Sequence, residues 1–135
     1  MRRLVLALIA ATAASALLFT PGADAHRVAF PSDVTVKYSK PDKKDPYAKG
    51  SFSGAVTSTK ARCQKSRTVT VSLQGTDGST QVIGSDVTDA TGAWTLSNSA
   101  APGTYYAEVS KRVFRKNKKH RHVCAADVSR SVKVK

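Results

Sequence analysis

The fold of this chain is decided by Thr88-Asp89-Ala90-Thr91-Gly92-Ala93-Trp94-Thr95-Leu96 and by Pro102-Gly103-Thr104-Tyr105-Tyr106-Ala107. In each stretch a cluster of turn residues leads into a short run with aromatic and β-branched residues, an order typical of a strand that follows a tight turn. The first run carries Trp94, the only tryptophan of the chain. Large apolar side chains on short strands need partners on facing strands, so the rest of the chain has to supply them.

Further runs alternate apolar and polar residues with the period of a β-strand. The clearest is Thr68 to Leu73, where Val69, Val71 and Leu73 share one face. The other runs are 34–38, 51–56, 81–88 and 126–135. Beyond the first 25 residues no window has a helical period. About seven short strands separated by turns predict an all-β fold, an antiparallel β-sandwich.

The first 25 residues have the three parts of a secretory signal peptide. Arg2 and Arg3 give a basic start, an apolar run extends from Leu4 to Phe19, and Ala23-Asp24-Ala25 is a small-x-small cleavage site. The apolar run is shorter than the roughly 20 residues that span a bilayer. We therefore predict export and cleavage after Ala25, and a mature chain that is secreted or held at the cell envelope, with no transmembrane segment.

The mature chain is predicted to begin with a polar segment at 26–49 that contains one short strand, followed by a β-sandwich domain at 50–135. Both cysteines, Cys63 and Cys124, lie in that domain. Two cysteines in an exported chain permit one intramolecular pairing, so we expect a disulfide. A bridge over a loop of this length stabilises by about 4 kcal/mol on the chain-entropy model. No Cys-x-x-Cys spacing favours a metal site instead.

Three motifs bear on the type of sandwich: Gly54-Ala55-Val56, Thr88 to Leu96, and Pro102 to Ala107. Together they resemble the carboxypeptidase regulatory-like (transthyretin-like, prealbumin-like) sandwich domains of exported bacterial proteins. Such domains are mostly accessory or binding modules without catalytic residues, so the resemblance implies a sandwich fold and says little about activity. It covers roughly 51–135 and does not include the basic tract described next.

The chain carries a net charge of +13, of which +12 remains after loss of a leader that holds Arg2, Arg3 and Asp24. The densest basic tract runs from Lys111 to His122 and is expected to form a loop between the last two strands. A second basic group surrounds Cys63, and the expected disulfide would bring it next to the first. The predicted polyanion-binding residues are Lys111, Arg112, Arg115, Lys116, Lys118, Lys119, Arg121, Lys60, Arg62, Lys65 and Arg67.

The charge predicts a non-enzymatic module that binds anionic polymers or surfaces, such as cell-wall polymers, acidic polysaccharide, lipid headgroups or extracellular DNA. The sequence has no motif for base-specific readout of nucleic acid and no Gly-x-Ser-x-Gly nucleophile. The same charges also fit a solvated face that keeps the protein soluble and protects an edge strand. In that case the domain is structural, or it binds protein partners by adding a strand at an edge.

A copper site is a further alternative. Cleavage after Ala25 would make His26 the first residue, and its amine and imidazole suit Cu(II), with His120 or His122 as an additional ligand. Arg27 would repel a cation there. The main prediction therefore includes no metal and no cofactor.

Three aspartates flank predicted turns, namely Asp77, Asp86 and Asp89. They lack the dense spacing of a calcium-binding loop. We expect them to cap turns by accepting hydrogen bonds from backbone N–H groups.

Overall fold

The computed structural model describes residues 26–117 and 120–135, without the side chains of His26 and of residues 115–117. The leader predicted at 1–25 and two residues of the basic tract, Lys118 and Lys119, lie outside the described residues. Within the described part, no helix is long and apolar enough to cross a membrane. The described residues are all-β, as the sequence predicts, and include one short 3-10 turn at Ala61–Cys63.

Twelve strands form three sheets in the described part of the chain. They are β1 His26–Phe30, β2 Asp33–Val34, β3 Lys37–Ser39, β4 Ser51–Thr57, β5 Thr68–Gln74, β6 Thr80–Val87, β7 Ala93–Ser97, β8 Gly103–Val109, β9 Arg112–Asn117, β10 His120–Cys124, β11 Asp127–Val128 and β12 Val132–Val134. The number exceeds seven because two predicted strands are each divided in two and because the sheet of β1, β9 and β10 was not expected.

Two of the sheets face each other across the core. The larger has the strand order β11-β8-β5-β6, with β12 also paired to β8, and the smaller is built on β4, which pairs with β2, β3 and β7. All of these pairs are antiparallel. Buried side chains from both sheets form a single core, and they are Val34, Phe52, Val56, Val69, Val71, Trp94, Tyr105, Ala107, Val109 and Val134. The predicted β-sandwich is confirmed.

An aromatic cluster lies inside this core. The ring centroid of Phe52 is 4.8 Å from that of Tyr38 and 5.0 Å from that of Tyr105. The hydroxyl of Tyr105 donates to the carbonyl of Ala101 at 2.8 Å, and that of Tyr38 accepts the N–H of Ala100 at 3.1 Å. Both tyrosines therefore bury their rings while their polar ends are bonded at the margin of the core.

The turn before Trp94 depends on Gly92. Its φ of 89° lies in the left-handed region, and a Cβ at this position would lie 2.3 Å from the carbonyl oxygen of Val56. Asp89 Oδ1 accepts hydrogen bonds from the backbone N–H groups of Thr91 and Ala93. The Thr-Asp-Ala-Thr-Gly motif thus sets the start of β7 through a capped turn in which only glycine fits without strain.

The third sheet, called the end sheet below, has the strand order β1-β10-β9. Strands β9 and β10 form an antiparallel hairpin, and β1 runs parallel to β10. The sequence interpretation was wrong on two points here. The basic tract forms the strands of this hairpin rather than a loop, and the segment 26–49 holds three strands rather than one. Strand β1 was missed because its partner β10 lies far along the chain, and the strand predicted at 34–38 is divided into β2 and β3.

Two predicted strands are each split in two by a hydroxyl group. Thr35 Oγ1 accepts the N–H of Ala55 at 3.1 Å, between β2 and β3. Ser129 Oγ accepts the N–H of Ala107 at 2.9 Å, between β11 and β12. In both places a side-chain oxygen takes the role of a backbone carbonyl, so the strand is locally irregular although the chain stays at the sheet edge.

We expect Phe52→Ala to lower the free energy of unfolding by about 3–5 kcal/mol, because it removes a fully buried ring from the centre of the core. Urea unfolding followed by the fluorescence of Trp94 measures the loss. Val82→Ala is the matched control, since that side chain is 63% exposed and should change the midpoint little. Equal midpoints for the two variants would contradict this assignment of the core.

Candidate functional site

The end sheet is fixed to the sandwich by the predicted disulfide, which is confirmed. Cys63, at the end of the 3-10 turn, is bonded to Cys124, the last residue of β10, across 61 residues of sequence. Both cysteines are fully buried. The bond holds the segment 58–66 against the end sheet, so the two basic groups recognised in the sequence lie side by side.

Hydrogen bonds of Arg112 reinforce this contact. Arg112, the first residue of β9, donates from Nη1 to the carbonyls of Lys65 and Ser66, each at 3.1 Å. Ser66 has a φ of 53°, a left-handed conformation that is uncommon for serine. The chain turns sharply at this point, and two successive carbonyls meet one guanidinium.

Two cations of the segment 58–66 lie over aromatic rings of the end sheet. Lys60 Nζ is 5.9 Å from the ring centroid of Phe30, and Arg62 Cζ is 6.0 Å from that of Phe114. Cation–π contacts at exposed sites stabilise by about 0.5–1 kcal/mol each. These two side chains are therefore held close to the sheet although both residues are exposed.

His122 lies between the same two rings. Its imidazole is 5.5 Å from Phe30 and 5.4 Å from Phe114, with interplanar angles of 78° and 89°. These are edge-to-face arrangements, which aromatic pairs favour. One face of the end sheet thus carries an aromatic row, Phe30–His122–Phe114, with a cation over each phenylalanine.

A row of arginines crosses the end sheet at neighbouring positions. Arg27 of β1 is in register with Arg121 of β10, and Arg121 is in register with Arg115 of β9. Directly opposed residues on neighbouring strands are close, and like charges there destabilise a sheet. Sequence reasoning included Arg121 and Arg115 but missed Arg27 as a member of the patch, because no local pattern reveals that β1 pairs with β10.

No acidic residue balances these charges within the strands themselves. The sequences of β1, β9 and β10 contain no Asp or Glu, and neither does the segment 58–67. Strand alternation puts Arg27 and Arg121 on the face of the end sheet opposite the aromatic row. The segment 58–66 lies against the face with the aromatic row. The end sheet, with both of its faces, and the segment 58–66 are together called the basic patch below. Its sequence therefore offers several cations and no intrinsic anion.

Arg67 is the one predicted site residue that the structure places inside the protein, with 1% of its surface exposed. Its Nη1 donates to Cys63 O at 2.7 Å and to Ser32 Oγ at 3.1 Å, and its Nη2 donates to Ser110 O at 2.6 Å and to Ala125 O at 2.9 Å. Its assignment to a ligand-binding surface was wrong. The guanidinium instead ties together four segments that carry the basic patch.

Burial lowers the pKa of Arg67, and the charge of Arg112 lowers it further. A guanidinium nevertheless stays protonated in proteins. Four acceptors compensate this buried charge, while Nε has no hydrogen-bond partner. A buried cation bonded only to carbonyls and a hydroxyl is costly to replace, because three backbone oxygens depend on it.

The remaining predicted site residues lie at or near the surface. Lys60, Arg62, Lys65, Lys111, Arg112 and Arg121 are exposed. Arg115 and Lys116 belong to β9, with side chains outside the described part, and Lys118 and Lys119 lie outside the described residues. The exposed members are in the end sheet, beside it, or in the segment that the disulfide holds against it.

Two structural observations bear on the metal hypotheses. Among the described side chains, no group of three His, Cys, Asp or Glu residues is placed to hold a metal ion. The register nevertheless sets His26 opposite His120, and Val28 opposite His122. All three histidines of the chain therefore belong to two neighbouring strands, a proximity that the sequence alone did not show.

Two of the three aspartates, Asp77 and Asp89, cap turns as predicted, whereas Asp86 does not. Asp77 Oδ1 accepts the N–H of Ser79 at 2.9 Å, and Asp89 Oδ1 accepts that of Thr91 at 2.8 Å. These hydrogen bonds lower the pKa of both carboxyl groups. Asp86 Oδ2 accepts the N–H of Thr95 at 2.7 Å and so links β6 to β7.

Comparison of the chain with protein-family models, with curated proteins and with solved structures finds no match. The resemblance to carboxypeptidase regulatory-like domains therefore depends on the three sequence motifs.

We expect Arg67→Met to lower the free energy of unfolding by about 3 kcal/mol or more, because several buried acceptors lose their donor. Arg121→Met is the control, since it removes one exposed arginine from the same part of the molecule and should change stability by less than about 0.5 kcal/mol. Urea unfolding of both variants measures the difference. Equal stabilities would contradict the role assigned to Arg67.

Proposed function

We propose that this protein is an exported, non-enzymatic β-sandwich module of the carboxypeptidase regulatory-like kind that binds anionic polymers or surfaces through its basic patch. The observation that carries the proposal is the row Arg27–Arg121–Arg115 in register across the end sheet, in strands that contain no acidic residue.

The aligned arginines repel one another, so this arrangement is electrostatically unfavourable. Opposed like charges destabilise a sheet, and an anionic ligand reverses that cost when it binds. A guanidinium presents a planar fork of donors that fits phosphate, sulfate and carboxylate groups. Several such groups on one polymer release counterions together, so the affinity is expected to fall steeply with salt.

Export is supported by the leader pattern at 1–25 and by the buried disulfide, because structural disulfides persist mainly in oxidising compartments. The ligands in reach of an exported protein are cell-wall polymers, acidic polysaccharide, lipid headgroups and extracellular DNA. The sequence of the basic patch contains no motif for reading nucleic-acid bases, so no such motif selects DNA among these ligands.

We expect a variant with Arg27, Arg121 and Lys60 changed to Gln to elute from heparin at clearly lower salt than the wild type. Its matched control changes Lys43, Lys44 and Lys49 to Gln, which removes the same charge from the loop that precedes β4. That loop adjoins the start of β4 at Ser51, whereas the segment 58–66 follows its end at Thr57. The control should elute close to the wild type.

A duplex-DNA titration at several salt concentrations gives the second measurement. The slope of log affinity against log salt should decrease in magnitude by about 0.9 for each phosphate contact that the patch variant loses. If the patch variant and its control elute together and share one slope, net charge alone explains the binding, and the proposed site is wrong.

Copper binding is a second candidate function, favoured by the register of His26 with His120. After cleavage at Ala25, the α-amine and the imidazole of His26 together with the imidazole of His120 would supply three nitrogen donors, which Cu(II) prefers. Strand alternation puts Arg27 and Arg121 on the other face of the sheet from His120. The repulsion expected from Arg27 is thereby weakened.

The copper hypothesis is tested on the protein secreted by an exporting host, whose mass gives its first residue. We expect one equivalent of Cu(II), bound about tenfold or more weakly when one alanine precedes His26 or when His120 is changed to Ala. His122→Ala is the control, because His122 lies opposite Val28. A first residue other than His26, or equal copper affinity in all variants, would contradict the hypothesis.

A further inference from the structure

The aromatic rings of the basic patch already contact cationic and imidazole side chains of the protein itself. Phe30 and Phe114 are the only phenylalanine, tyrosine or tryptophan residues in the sequences of β1, β9 and β10. Each is half-buried, each has His122 at its side, and each has a cation within about 6 Å of its ring centroid.

A binding site for bases needs the opposite arrangement. Proteins that bind single-stranded nucleic acid stack successive bases on exposed aromatic faces, and the backbone follows a basic groove. In the basic patch, Lys60 and Arg62 lie over the rings where such a base would have to stack. The most exposed aromatic residue of the described chain, Tyr47 at 89%, belongs to the loop before β4 and not to the patch.

The cations themselves are placed for contact with charged groups. Lys60 and Arg62 are exposed at their positions over the rings. Arg27 and Arg121 are exposed on the opposite face of the end sheet, and the sequences of the three strands supply no further phenylalanine, tyrosine or tryptophan to that face. Because the rings limit the motion of Lys60 and Arg62, less side-chain entropy is lost when an anion binds. The rings then serve to position charge and not to touch the ligand.

We propose that the basic patch recognises its polymer by the charged groups of the backbone alone, with no contribution from stacked bases or rings. This inference rests on the proposed polyanion binding and narrows its ligand class. The ligand is a polymer of phosphate, sulfate or carboxylate groups whose charge density sets the affinity, and removal of the bases from a nucleic-acid probe leaves binding unchanged.

The test compares two single-stranded probes of equal length, oligothymidylate and the same deoxyribose-phosphate chain without bases, against the wild-type protein. We expect equal dissociation constants and equal salt slopes, because both probes carry the same phosphates. A single stacked base would make oligothymidylate bind roughly fivefold tighter or more. Such a preference would overturn the inference and leave polyanion binding intact. Failure of both probes and of heparin to bind would contradict the proposed function itself.

A pair of variants tests whether the cation over the ring is what prevents a base from stacking there. Arg62→Ala uncovers Phe114, and Lys65→Ala removes an equal charge from the same segment; neither cation–π contact involves Lys65. We expect Arg62→Ala to acquire a preference for oligothymidylate over the baseless chain, whereas Lys65→Ala loses affinity equally for both probes. Identical behaviour of the two variants would show that the cation over the ring does not exclude bases, and the inference would fail.

Discussion

The joint between the end sheet and the sandwich is the constraint on which the rest of the molecule depends. Cys63 and Cys124 link the 3-10 turn to β10, and the guanidinium of Arg67 bonds to that turn and to the ends of three further segments. The covalent bond limits how far the segments can separate, while the directional hydrogen bonds set their orientation. Without the disulfide and these hydrogen bonds, a small sheet rich in like charges would be held only weakly against the sandwich.

The same joint explains why cations can be concentrated there. An isolated three-stranded sheet with opposed arginines is disfavoured by repulsion. The sandwich has a core of its own, in which Phe52, Val69 and Tyr105 are fully or almost fully buried. A stable body can therefore carry an electrostatically unfavourable surface, which is a common condition of binding sites.

The sandwich strands were predictable because their signals are local. Alternation in 68–73, the turn at Asp89 and Gly92, and the glycine at position 84 each act within a few residues. The register shift between β5 and β6 falls beside Gly84, as expected for a bulge. The end sheet was not predictable in this way: β1 gains its partner from β10, far along the chain, and the tract from Lys111 to His122 has too many charges to show a clear apolar period. Arg67 was misassigned for a related reason, since its charge indicates exposure and only the surrounding carbonyls make burial possible.

The sequence by itself determined the fold class, the pairing of two cysteines and the excess of positive charge, because alternation, cysteine count and composition are properties of the chain that no partner alters. Tertiary structure alone decided which cations face the solvent, that Arg27 aligns with Arg121 and Arg115, and that Lys60 and Arg62 cover the rings of Phe30 and Phe114. Those relations depend on contacts between residues far apart in the chain. The disulfide and the buried guanidinium hold those segments together.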